Sequence, residues 1–213
     1  MKSKLSFFVI VVVLFAGPPS VGAIPFSFTA PDTPVAITDQ QWAYSVIDAD
    51  MSGSIEDLDV FVDLDHSWMM DLAIFIEHDG RTVQLFNEYW IFPENRLVWN
   101  NLTNVRFDDE ASAYIESASP PFGPGSFKPT ALPDPGYSNS LSVFDGMDVF
   151  GTWTLSIFDD SQRSIGTLNT FRISGRTTPV PEPSAIFLVG AGLAGVAGVR
   201  RIFRVTKRKS KVP

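Results

Sequence analysis

The chain has 213 residues and no cysteine, so a hydrophobic core rather than disulfides must hold the folded protein together. Its formal net charge of −8 is unevenly distributed, because 24–180 holds 23 of the 24 acidic residues and only seven Lys and Arg. The resulting formal charge of −16 argues against a nucleic-acid partner and is compatible with cation binding.

The N-terminal segment 1–23 has the three parts of a secretion signal. Lys2 and Lys4 precede an apolar run over 5–16, and small residues lead to Ala23. The 12 residues of this run are too few to span a hydrocarbon core, which takes about 20 residues in a helix. We therefore predict a signal peptide over 1–23 that is cleaved after Ala23. An uncleaved membrane anchor is the alternative.

The first regular elements are predicted from an alternation of apolar and acidic side chains over 57–65. This period of two predicts a strand with one apolar and one acidic face. Two further segments, 72–76 and 82–86, flank a turn that contains Gly80 and predict a β-hairpin.

The remainder of the domain is predicted from its turns. Prolines make 93–135 a predicted irregular region, and two more strands are predicted over 152–158 and 168–174. Short strands, turn signals and the absence of an amphipathic helical pattern favour an all-β domain over 24–175. We expect an antiparallel β-sandwich of the jelly-roll type.

Short motifs follow one another in a defined order from 42 to 175. They are I-E-D-L-D-V (55–60), H-S-W (66–68), D-L (71–72), G-R-T-V-Q-L-F (80–86), F-D-D-E-A (107–111), F-K-P (127–129), L-S-V-F-D-G (141–146), G-T-W-T-L (151–155) and G-T-L (166–168). In this order they resemble the P domain (P/Homo B domain) of subtilisin-like proprotein convertases. The resemblance implies a galactose-binding-like jelly-roll sandwich and a link to serine-type proteolysis.

No catalytic residue is predicted, although P domains usually accompany a protease domain. A nucleophilic triad needs a base within hydrogen-bond reach of an activated nucleophile. The two histidines are His66, at a strand end, and His78, in a turn. We expect His66 to serve packing or hydrogen bonding, and the chain to be no enzyme.

Two kinds of ligand site are considered. Adjacent carboxylates repel each other unless they are paired or bind a cation, so Asp108-Asp109 and Asp159-Asp160 are candidate calcium ligands. Solvated loop charges are the alternative. Tyr89, Trp90 and Trp99 are candidates for stacking on carbohydrate, whereas Trp68 and Trp153 are expected in the core.

The C-terminus carries the most specific pattern. The segment 176–184 is a linker with Pro181, Glu182 and Pro183, 185–203 is a predicted transmembrane segment, and 204–213 is a basic tail predicted to lie in the cytoplasm. With Arg200 and Arg201, this pattern resembles the PEP-CTERM sorting signal. The resemblance implies cutting by an exosortase-type transpeptidase in a Gram-negative bacterium that makes exopolysaccharide. A plain single-span anchor is the alternative.

Three functions follow from these expectations. The first is a non-enzymatic protein of the cell surface, outer envelope or extracellular matrix, made as an inner-membrane precursor. The second is an accessory P domain that stabilises a separately encoded secreted protease. The third is a lectin-like module that binds exopolysaccharide.

Overall fold

The structure is a computed structural model, and it describes residues 22–87, 101–117 and 122–178. In that part of the chain, no helix is long and apolar enough to cross a bilayer. Most of the predicted signal peptide, the Pro-Glu-Pro motif and the predicted transmembrane segment lie outside the described residues.

Ten strands and three short 3-10 turns make up the described chain. The turns are Met69–Asp71, Ile115–Ser117 and Leu141–Phe144. The strands are β1 (Ile24–Thr29), β2 (Val35–Ile37), β3 (Trp42–Ala49), β4 (Ser54–His66), β5 (Leu72–His78), β6 (Arg81–Asn87), β7 (Leu102–Phe107), β8 (Gly125–Phe127), β9 (Gly151–Asp159) and β10 (Gly166–Thr178).

The strands form two sheets, which confirms the predicted two-sheet all-β architecture. The six-stranded sheet has the order β1-β10-β4-β7-β8, with β2 also paired to β10. The four-stranded sheet has the order β3-β9-β5-β6. All strand pairs are antiparallel except β7 and β8, which are parallel. The predicted antiparallel pairing therefore holds for the other strand pairs, and β8 runs in the same direction as β7.

The core contains apolar side chains from both sheets. In β4 the inward positions are Leu58, Val60, Val62 and Leu64, each at most 3% exposed. Trp153 of β9 is fully buried in the same cluster. The period-two prediction for β4 is therefore confirmed, and burial of these side chains is the main stabilising contribution.

The predicted hairpin is formed by β5 and β6. Asp79 and Gly80 both have positive φ, at 45° and 74°, as the two central residues of a type I′ turn require. The pairing shifts register between Ile74 and Phe75, and this bulge lets both Leu85 and Phe86 contribute to the core.

Several strands lie where none was predicted. β7 and β8 fall within the predicted irregular region 93–135, and β1, β2 and β3 precede the first predicted strand. β10 extends to Thr178, so the sandwich continues past the predicted domain end at 175. These last residues pair with the beginning of β1, which starts at Ile24.

Candidate functional site

A histidine–aspartate pair lies at the ends of β4 and β9. Nε2 of His66 is 3.2 Å from Oδ2 of Asp159, and both side chains are fully buried. Nδ1 of the same ring is 2.8 Å from the carbonyl oxygen of Trp68. Both ring nitrogens are therefore engaged, which agrees with the expectation that His66 has a structural role.

Asp160 and Asp71 lie close to this pair. The backbone N–H of Asp160 donates to the carbonyl of Asp71, and the hydroxyl of Ser164 donates to Oδ2 of Asp71 at 2.6 Å. Burial, followed by repulsion from Asp71 and Asp159, raises the pKa of Asp160. Burial is also the main cause that raises the pKa of Asp71. Carboxylates crowded in this way are easier to protonate than free ones.

The other candidate calcium residues have partners of their own. Asp109 accepts hydrogen bonds from the hydroxyl of Ser140 at 2.6 Å and from the N–H of Leu141 and Ser142. Asp108 is 3.1 Å from the guanidinium of Arg106. Within 22–87, 101–117 and 122–178, no three acidic or histidine side chains are grouped as a metal site would require. Calcium binding stays a prediction.

The acidic face of β4 is compensated by neighbouring strands. Asp57 is 3.1 Å from the guanidinium of Arg176, and Asp59 is 2.9 Å from that of Arg106. Burial raises the pKa of Asp59, although the hydrogen bond from Arg106 opposes this. Arg172 lies over the ring of Phe61, 4.5 Å from its centroid. Asp57, Asp59 and Arg172 on the outer surface of the six-stranded sheet thus each contact a side chain of a neighbouring strand.

His78 is the second buried histidine. Its ring is stacked on Trp153, with centroids 3.9 Å apart and planes inclined by 3°. Its ring nitrogens lie 3.0 Å from the carbonyl oxygen of Thr152 and 2.8 Å from that of Asp148. Burial opposes ionisation of Asp148, but N–H groups of Gly53 and Phe150 donate to it and lower its pKa.

The outer surface of the four-stranded sheet carries a cluster of aromatic rings, which we call the aromatic face. It consists of Trp42, Tyr44, Phe75, Tyr137 and Phe158. Trp42 lies 4.9 Å from Phe158, 5.9 Å from Phe75 and 6.1 Å from Tyr44, measured between ring centroids. Tyr137 lies 4.8 Å from Phe75. The rings form one continuous contact network across three strands and a loop.

The loop that carries Tyr137 is held against β6. The side-chain amide of Gln84 donates to Asp134 at 3.1 Å, and the backbone N–H of Asp134 donates back to Gln84 at 2.6 Å. The amide of Asn87 donates to the carbonyl of Leu132. Gln84 and Asn87 are fully buried beneath this loop. The reciprocal bonds position Tyr137 over the sheet.

The aromatic face was not predicted as a site. The residues predicted for carbohydrate stacking, Tyr89, Trp90 and Trp99, lie outside the described residues. In β3, however, the sequence W-A-Y-S-V-I-D-A alternates, which places Trp42 and Tyr44 on one side and Ala43 and Ile47 on the other. Of the tryptophans expected in the core, Trp153 is buried and Trp68 is half-buried.

Comparison with known proteins identifies the C-terminal segment. Residues 179–201 match the PEP-CTERM protein-sorting motif. This motif includes the predicted Pro181, Glu182, Pro183, Arg200 and Arg201. It implies export, a membrane-anchored precursor and processing toward the cell surface by an exosortase-type enzyme.

Two other comparisons concern the whole chain. No curated protein matches it. Among solved structures, it is similar to the crystal structure of an Aeromonas sobria serine protease (ASP) and chaperone (ORF2) complex, with 14% sequence identity and a TM-score of 0.44. That match covers 75% of this chain and 28% of the other chain, so this chain spans just over a quarter of that protein. The P-domain resemblance stays a prediction.

Proposed function

We propose that the chain is an exported precursor that an exosortase-type enzyme cuts near its Pro-Glu-Pro sequence, and that its β-sandwich is a non-catalytic binding module at the cell surface. The PEP-CTERM motif at 179–201 carries the proposal. Two prolines favour an extended recognition segment in front of the apolar stretch. The basic residues after that stretch favour a cytoplasmic C-terminus and an external sandwich.

The engaged histidines support a module without catalysis. A general base must reach the proton that it abstracts, directly or through one water. His66 and His78 are at most 3% exposed, and every ring nitrogen has a protein partner. This engagement supports a packing and hydrogen-bonding role for both rings.

The sorting proposal is tested by replacing the motif. Pro181, Glu182 and Pro183 are changed together to Ala in a chain with a C-terminal epitope, expressed in a host with an active exosortase. We expect the wild type to lose the epitope and reach the surface fraction. The variant should keep the epitope and stay in the inner-membrane fraction, because the enzyme no longer recognises it.

The matched control is Glu77→Ala, which removes an exposed acidic side chain from the sandwich and leaves the motif intact. This control should be processed like the wild type. Equal processing of the motif variant and the wild type would contradict the proposal.

A further inference from the structure

We propose that the aromatic face binds a neutral polysaccharide by stacking of sugar rings. This rests on the proposed function of the sandwich as a binding module and names its ligand class and its site. Trp42, Tyr44 and Tyr137 are 47%, 54% and 45% exposed. Large aromatic side chains left in water at one place on a folded domain mark an interaction surface.

The strand register arranges the rings in two rows. In the first row Trp42 is opposite Phe158, which is opposite Ala73. In the second row Tyr44 is opposite Ser156, which is opposite Phe75.

The geometry of the rows suits a sugar chain. The rings of Trp42 and Tyr44 are stacked at the sheet edge, with planes inclined by 17° and centroids 6.1 Å apart. The apolar face of a pyranose ring stacks on an exposed aromatic ring of this kind, and the hydroxyl of Ser156, in the row of Tyr44, is a hydrogen-bonding group beside it.

The lack of charged side chains on this surface favours a neutral polysaccharide over an anionic one. No side chain of either row on β3, β9 or β5 is charged, and the rows end on β6 at Asn87 and Gln84, which lie buried beneath the loop that carries Tyr137. The remainder of the domain is strongly acidic, with a formal charge of −16 over 24–180. An anionic polysaccharide would be repelled, whereas a neutral one is not.

The charge of the domain argues against a second copy of the chain as the occupant. The formal charge of −16 over 24–180 makes two copies repel each other. A stable protein interface also takes about 20–30 residues on each partner, whereas this face has three exposed rings, those of Trp42, Tyr44 and Tyr137.

The face is formed before any ligand arrives. Phe75 is 7% exposed because Trp42 and Tyr137 lie against it, and the Gln84–Asp134 bonds fix the loop that carries Tyr137. A surface that is already ordered loses little conformational entropy on binding.

The test is a binding assay with the full chain extracted in detergent. The probes are insoluble cellulose and chitin in pull-downs, and soluble galactomannan and alginate in native affinity gels. We expect retention by at least one of the three neutral glycans and none by the anionic alginate. Trp42→Ala and Tyr44→Ala should each weaken the binding about fivefold.

Phe150→Ala is the matched control, because Phe150 is 57% exposed and lies outside the aromatic face. This variant should bind like the wild type, and thermal unfolding should show that all three variants fold.

The proposal is overturned if no neutral glycan binds, if alginate alone binds, or if Trp42→Ala binds as tightly as the wild type. It is also overturned if sedimentation shows a dimer that Trp42→Ala dissociates. None of these outcomes alters C-terminal processing, so failure here is distinct from failure of the sorting proposal.

Discussion

The buried pair of His66 and Asp159 joins the two sheets through single side chains. His66 ends β4 in the six-stranded sheet and Asp159 ends β9 in the four-stranded sheet. Neither side chain reaches solvent, so each depends on the other to satisfy a polar group. A buried polar group left without its partner carries the full cost of its lost hydration.

Removing one member of this pair should therefore be costly. For His66→Ala or Asp159→Ala we expect a loss of about 1–3 kcal/mol in the free energy of unfolding, measured with urea. The double variant should lose less than the two single losses added together, because the orphaned partner is gone. Asp50→Asn, an exposed position, serves as the control. A single-variant loss below about 1 kcal/mol would contradict the structural role assigned to the pair.

At the scale of elements, the loop bound to β6 holds Tyr137 in the proposed ligand surface. Replacing Gln84 by Ala removes both side-chain bonds to Asp134. We expect faster amide hydrogen exchange over 132–138, because those bonds hold the loop on the sheet. Gln162→Ala removes an exposed amide that bonds to Gln40 and should leave this exchange unchanged. Unaltered exchange in the Gln84 variant would show that the loop is held by other contacts.

Strands were predicted best where the local residue pattern alone identifies them. From Asp57 to Asp65, β4 alternates core-facing apolar residues with acidic residues and Phe61, and the β5–β6 hairpin has Asp79-Gly80 at its turn, so both were predicted. β7 was missed because it is short, lies among prolines and follows Asn101, whose φ is positive. β8 has only three residues and exists through its pairing with β7.

The aromatic face depends on contacts between distant segments, which a local pattern does not contain. In the sequence, nothing around Phe75 distinguishes it from other apolar strand residues. Its burial comes from Trp42, 33 positions earlier, and from Tyr137, 62 positions later. The exposed position of Trp42 could have been inferred from the alternation in β3. The assembly of five rings required the register of three strands.

For the molecule as a whole, crowded carboxylates determine how stability depends on pH. Burial is the largest cause that raises the pKa values of Asp59, Asp71, Glu110, Asp145 and Asp160. A raised pKa means that the folded protein favours the protonated group. Its contribution to stability is present below the ordinary pKa, which is 3.8 for Asp, and is lost as the pH rises through the folded value. Asp148, whose pKa is lowered, acts in the opposite direction.

We therefore expect the thermal midpoint of the sandwich to rise as the pH is lowered from about 7 through the folded pKa values of these carboxyls toward the ordinary value of 3.8. Reduced self-repulsion of the acidic domain acts in the same direction. Differential scanning calorimetry at constant ionic strength measures the effect. Asp59→Asn removes one of the raised groups and should make the rise smaller. A midpoint that falls over this range would show that carboxylates with lowered pKa values dominate.

The sorting motif separates the acidic sandwich, which is the exported part, from the basic C-terminal tail. Most of the basic residues of the chain lie at its two ends. The most direct measurement is the intact mass of the mature protein recovered from the surface of a host with an active exosortase. We predict a chain that begins at Ile24 and has lost Arg200, Arg201 and everything beyond Ser184. A mature chain that retains these residues would contradict the central claim.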